Sequence, residues 1–155
     1  GIAGGIQGAI TVKNCYVLGL INVSRGCGAI LGQVKTAAPT VDGCIAWCEI
    51  TTNRGNTQYS PGAIVGNIQI DGKYMKCYRK HNMEFSDVAM KLVDHEDVEN
   101  GRPPFPTYEG TTADKNQYAY HGKAAAADAT ISSVAKSLGW DETVWDLSGA
   151  VPVLK

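Results

Sequence analysis

The chain is short of charge where it is most repetitive. Of its 14 basic and 15 acidic side chains, only Lys13, Arg25, Lys35, Asp42, Glu49 and Arg54 fall within residues 1–70, leaving 23 for the other 85 positions. The net charge is −1 and no basic patch or tail stands out. That excludes the electrostatic footprint through which nucleic acid or an anionic membrane surface is bound. No apolar run reaches the roughly 18 residues of a membrane span. No CxxC pair occurs, and no Cys–His cluster has zinc spacing; the nearest approach is the CxxxC of Cys44 and Cys48. GxSxG, HExxH and P-loop patterns are also missing, and no nucleophile–base pair is evident. The chain begins "GIAGGIQGAI", without a Met or a basic n-region, so no signal peptide is read in it. Starting inside a repeat, it reads as a piece of something longer.

What the sequence has is a repeated phrase. "GGIQGAI" at 4–10, "GAILGQV" at 28–34 and "GAIVGNI" at 62–68 share one pattern, and each is followed by a polar turn and a cysteine: "KNCYVLGL", "DGCIAWCEI" and "MKCYRKHN". The glycines Gly28 and Gly62 are 34 residues apart and Cys44 and Cys77 are 33 apart; the first interval is shorter, 24 between glycines and 29 between cysteines. The stretches within each unit are short, β-rich and broken by Gly, Asn, Asp and Pro, which is the strand-and-turn signature. No strand–GxGxxG–helix context surrounds the glycines, so they are not a phosphate loop.

Units of this length without helical periodicity fit the coils of a parallel β-solenoid, stacked about 4.8 Å apart. The expected fold is all-β: a right-handed parallel β-helix of about three coils over residues 1–87. An irregular C-terminal segment and cap follows over 88–155, with one short helix near 130–138. Ile6, Ile30 and Ile64 are expected to form one inward ladder, and Cys15, Cys44 and Cys77 another. The apolar settings of the cysteines suit buried thiols acting as small hydrophobes.

Period-2 alternation after each cysteine assigns the faces. With Cys15 and Cys44 inward, Val17, Ala46 and Cys48 also point in. Tyr16, Ile45 and Tyr78 then make an outward stripe, with Leu18, Trp47 and Lys80 beside it. An exposed apolar stripe needs an occupant. Either it is an aromatic platform for a sugar ring or a partner protein, or the C-terminal segment packs over it; the second reading is favoured because the tail has its own apolar residues to bury. The ligand-surface candidates are Tyr16, Trp47, Tyr78, Tyr118, Tyr120 and His121. His121 in "AYHGKAA" reads as a structural histidine near the helix start ahead of a general base or sugar ligand.

"VDHEDVE" gathers Asp94, His95, Glu96, Asp97 and Glu99. Asp94, His95 and Asp97 are weak candidates for a hard cation, but the spacing of a calcium loop is missing and a solvated surface run is the preferred reading. No catalytic residue, cofactor or metal is assigned. The Pro-rich "NGRPPFPTYEG" at 100–110 should be an extended surface segment. In "ISSVAKSL", Ile131, Val134, Ala135 and Leu138 fall at i, i+3, i+4 and i+7, one apolar helix face. Asp128 or Thr130 suits its start and Gly139 its end. The apolar cluster beyond it, with Trp140 and Trp145, is expected to cover the terminal coil, whose open edges would otherwise invite aggregation.

The repeat resembles the GLUG-type repeat of bacterial surface and secreted proteins, on "GGIQGAITVKNCYVLG", "GAILGQ…VDGCIA" and "GAIVGNIQIDGKYMKCY". The ending "YHGKAAAADATISSVAKSLGWDETVWDLSGAVPVLK" is similar to the one such proteins often carry after their last repeat. Together these cover roughly residues 4–85 and 118–155. Unequal spacing and the charged "YRKHNMEF" of the last copy depart from the pattern. The resemblance implies an extracellular or cell-surface location, a kinship with proteins common in gut Bacteroidetes, and a role in adhesion, binding or structural display. Partners would be a glycan, a host or bacterial surface protein, upstream repeats, or another copy through the N-terminal coil. The alternatives are a polysaccharide lyase or hydrolase with a groove along the coils, and a solenoid that self-assembles end to end.

Overall fold

The computed structural model describes residues 1–23, 28–52, 62–68, 72–81, 83, 85–87 and 121–155. The strands are β1 (Ala3–Ile6), β2 (Thr11–Lys13), β3 (Tyr16–Val23), β4 (Leu31–Val34), β5 (Thr40–Asp42), β6 (Ile45–Thr52), β7 (Val65–Ile68), β8 (Lys73–Met75), β9 (Tyr78–Arg79), β10 (Phe85–Asp87), β11 (Lys123–Ala124), β12 (Trp145–Asp146) and β13 (Val153–Leu154). The helix α1 spans Ile131–Ser137. The described residues are thus mostly strands in parallel sheets, with one short helix.

The chain visits three parallel sheets in the same order three times. One sheet is β1-β4-β7 and the second is β2-β5-β8; the third is built on β6, which pairs with β3 on one side and with β9 and β10 on the other, with β11 beyond β9. Each pass therefore lays down one strand per sheet. The third pass is interrupted: β9 lies along Ile45 and Ala46, whereas β10 lies along Ile50 to Thr52. Lys80 and His81 follow β9 directly, where the sequence leaves the repeat pattern. A further short strand, β11, adds Lys123 to Tyr78 and Ala124 to Arg79 in parallel.

A recurring corner turns the chain from the second sheet into the third. Asn14, Gly43 and Lys76 adopt left-handed φ values of 50°, 63° and 50°, and each stands immediately before Cys15, Cys44 or Cys77. The left-handed region is open to Gly, is tolerated by Asn and is costly for Lys. Backbone bonds at this corner run from pass to pass: Ile45 N–H donates to Cys15 O at 2.9 Å and Tyr78 N–H to Cys44 O at 2.9 Å.

The first ladder expected from the sequence is corrected. Ile6 pairs in register with Val34, and Val34 with Ile68. The residue stacked on Ile30 and Ile64 is Ile2, whose N–H donates to Ile30 O, while Ile30 N–H donates to Ile64 O. The offset from β1 to β4 is therefore 28 residues, as in Ala3 to Leu31, close to the 29 of the other two sheets. The stretch in register with "AILG" at 29–32 is therefore "GIAG" at 1–4, not the overlapping "GGIQG". The passes approach closely: a Cβ on Gly32 would lie 2.3 Å from Gly4 O, and one on Gly28 would lie 2.4 Å from Ile64 O, so both places need glycine.

Two apolar cores result. The interior between the sheets buries Ile30, Leu31, Val34, Val41, Cys44, Ala46, Cys48, Ile50, Ile64, Val65 and Cys77, among others. The second core lies on the outer face of the third sheet, where Ile45 meets Ile131, Val134, Ala135, Trp140 and Leu147.

The tail thus covers the outer face of the third sheet, as the favoured reading of the apolar stripe expects; Trp140 and Trp145, which the sequence also assigned to covering the terminal coil, pack on that face. Thr130 caps α1 by a reciprocal box with Ser133, at 3.0 and 2.9 Å. Gly139, at φ 73°, ends it with a bond to Lys136 O.

Candidate functional site

The outward stripe of the third sheet is where the sequence offered a ligand platform or, as the favoured reading, a seat for the C-terminal segment. Tyr16, Ile45 and Tyr78 are in register on adjacent strands. Ile45 is wholly buried, and Tyr16, Trp47 and Tyr78 are half-buried against the C-terminal segment. The Tyr16 hydroxyl donates to Pro152 O at 3.0 Å, and Trp140 Nε1 donates to Gly43 O at 3.0 Å, across the corner itself. Tyr16 lies 6.4 Å from Trp140 and 6.1 Å from Trp145, and the two indoles are 5.0 Å apart. These aromatic contacts tie the tail to the sheet. The rings of Tyr16, Trp47 and Tyr78 therefore line an intramolecular interface, as the favoured reading of the stripe expects.

Beyond the tail the same sheet is open. Leu18 and Leu20 are 56% and 68% exposed on β3, one and two outward steps past Tyr16. Leu18 is in register with Trp47 and Leu20 with Glu49. Glu49 forms an ion pair with Lys80 of the third pass, and Lys13 of β2 lies 3.7 Å from Asp42 of β5. Both pairs are solvent-exposed and worth little individually.

Inside, the three landmark cysteines lie in register and share one side-chain geometry. The Cys15 thiol contacts Lys13 O at 3.1 Å, Cys44 contacts Asp42 O at 3.6 Å, and Cys77 contacts Met75 O at 3.4 Å. Cys44 and Cys77 also reach back to the preceding pass, to Val12 O at 3.6 Å and Val41 O at 3.9 Å. All three are free thiols; Cys15 is half-buried and the other two fully buried. Burial, with Cys44 beside it, raises the Cys15 thiol above its ordinary value. The hydrogen bond with Cys77, together with burial, keeps Cys44 protonated.

The column does not continue. In the added strand the equivalent position is Gly122, where a Cβ would lie 3.0 Å from Cys77 O and from the Ile64 side chain. Arg79 occupies the inward position held by Val17 and Ala46 in the earlier passes, and is buried. Its guanidinium donates to Gly122 O. His121 is buried nearby; burial first, and the Arg79 charge second, lower its pKa to about 3. It is therefore neutral near pH 7, placed in the interior and away from the surface proposed for it. Sequence reasoning missed Arg79 as an inward residue, because hydropathy points a charged side chain outward; the alternation that put Ala46 inward was the available signal.

Tyr118 and Tyr120 lie outside the described residues, as do Asp94, His95, Asp97, Cys27 and the Pro-rich segment. Among the described residues no group of three or more His, Cys, Asp or Glu could hold a metal ion, and no helix is long and apolar enough to cross a membrane. An open depression at the start of α1 is lined by Thr130, Ser132, Lys136, Leu147 and Ser148.

Comparison with known proteins adds no relative. No family model matches the chain, and neither a curated protein nor a solved structure is significantly similar to it.

Proposed function

We propose that the three passes are the coils of a right-handed parallel β-solenoid, and that the chain is a non-catalytic module of a bacterial surface or secreted protein of the GLUG-repeat kind. Its task is adhesion, binding or display outside the cell. The observation that carries this reading is the recurring corner, a left-handed residue followed by an inward cysteine, stacked in register in all three passes. Such repetition specifies an elongating scaffold and leaves activity to its outward surfaces.

Because the tail occupies the aromatic stripe, the binding face lies elsewhere on the outer surface, with Leu18 and Leu20 as its exposed apolar part. The experiment is a glycan array probed with the intact chain, alongside binding to immobilised bacterial and host-cell surfaces. Saturable binding weakened at least several-fold by Leu18→Ser with Leu20→Ser supports the module. Release of reducing ends or unsaturated uronates from an acidic polysaccharide overturns it in favour of the enzyme.

A second reading, end-to-end self-assembly, is favoured by one observation. Among the described residues, β1, β2 and β3 each pair along one edge only. Open edges of this kind template further strands. Sedimentation that shifts with concentration supports this reading, and a strictly monomeric profile at high concentration rejects it.

A further inference from the structure

The cysteine column has one less enclosed end. Cys77 and Cys44 are enclosed in the interior, whereas Cys15 stands half-buried on the first pass, with its thiol contact to Lys13 O in an exposed setting. Adjacent strands are about 4.8 Å apart, which puts in-register Cα atoms inside the range of about 4.4–6.8 Å that a disulfide spans. The Cβ atoms must close by about 1 Å to reach the usual disulfide separation of about 3.8 Å. That movement is easiest for Cys15. It immediately precedes β3, which among the described residues is paired on the β6 side only, whereas Cys44 is fixed between two passes.

We propose that Cys15 and Cys44 are a thiol–disulfide exchange site, forming a reversible cross-link that staples the first pass to the second when a low-molecular-weight disulfide is present. The Cys15 thiolate attacks one sulfur of glutathione disulfide, forming a mixed disulfide and releasing one glutathione thiolate. That thiolate is protonated from solvent by the proton Cys15 had given up. The Cys44 sulfur then attacks the Cys15 sulfur and expels the second glutathione, which departs with the Cys44 proton. Two protein thiols are oxidised to one disulfide, and one small disulfide is reduced to two thiols.

The strain of closing the Cβ atoms makes the bond readily reducible, so an excess of reduced glutathione opens it again. Closure fixes the open first pass, where Ile10, Val17, Ile21 and Val23 are only partly covered. The inference does not depend on the adhesive function above, since it needs only the register of β3 on β6.

The test treats the intact chain with glutathione disulfide at about pH 8.5, near the ordinary cysteine pKa, and maps tryptic peptides. Residues 14–25 carry Cys15, residues 36–54 carry Cys44 and Cys48, and Cys27 falls in a separate peptide. The expected product joins 14–25 to 36–54, with fragmentation placing the bond at Cys44, a loss of two titratable thiols, and reversal by reduced glutathione. In Cys48→Ser the cross-link persists. In Cys44→Ser it is lost and Cys15 stops at the mixed disulfide with glutathione. The proposal is overturned if the unsubstituted chain stops at that mixed disulfide, stays unoxidised, or joins Cys15 to Cys27 or Cys48.

Discussion

At the scale of single residues, the corner before each cysteine is the position on which the stack depends most. Three different residues fill it, and their left-handed φ values are nearly equal. For a non-glycine residue this conformation costs about 1–2 kcal/mol, part of which glycine gives back through its freedom in the unfolded chain. Lys76→Gly is therefore expected to stabilise the protein by about 0.5–1 kcal/mol, measured by denaturant unfolding. Gly43→Ala should do the reverse by more than about 1 kcal/mol. It is also crowded, because a Cβ there would lie 2.7 Å from Asn14 Oδ1.

His121 gives a second prediction at this scale. Its folded pKa is near 3, below the unfolded value of about 6.5. Between those values the unfolded chain binds more protons, so stability is full above about pH 6.5 and falls as pH falls toward 3. The slope is up to about 1.4 kcal/mol per pH unit from this group. Comparing urea midpoints of the parent and His121→Gln across this range isolates it: the substituted chain should lose that part of the acid sensitivity.

Among elements, the C-terminal segment shows what a sequence pattern encodes and what it does not. The helix was legible because Ile131, Val134 and Ala135 recur at helical spacing between a capping Thr130 and Gly139, and all three are buried. Its seat on the outward stripe was legible as well, because Tyr16, Ile45 and Tyr78 needed an apolar cover. The exact docking was not, since it is set by distant polar partners, Gly43 O for Trp140 and the Tyr16 hydroxyl for Pro152 O. Thr130→Ala should cost about 1 kcal/mol by removing the cap. Trp140→Ala should cost about 3–5 kcal/mol, with a matching rise in hydrogen exchange across α1 and in the fluorescence of a dye that binds exposed apolar surface. An unchanged exchange pattern would mean that the tail holds its place without this anchor.

At the scale of the molecule, the described residues make three passes through three parallel sheets, with the C-terminal segment packed on one of them. The cysteine register was readable from sequence because each cysteine follows a polar corner, a landmark with no competing match nearby. The isoleucine register was misread at Ile6, because the first ten residues contain two overlapping glycine phrases of similar composition. The pairing of Ala3 with Leu31 distinguishes them, and such pairing between passes leaves no trace in one-dimensional spacing. Arg79 went unrecognised as an inward residue for a related reason: its buried guanidinium donates to Gly122 O, 43 residues away in sequence. Those long-range parallel pairings also predict slow folding, on the order of milliseconds to seconds, in stopped-flow refolding.

In-register parallel stacking is the central claim, and through-space nuclear Overhauser contacts in the labelled, intact chain test it most directly. The account predicts contacts linking Cys15 to Cys44, Cys44 to Cys77, and Ile2 to Ile30 to Ile64, with Ile6 facing Val34. Contacts between Ile6 and Ile30 without those of Ile2, or an antiparallel pattern between β3 and β6, would contradict it.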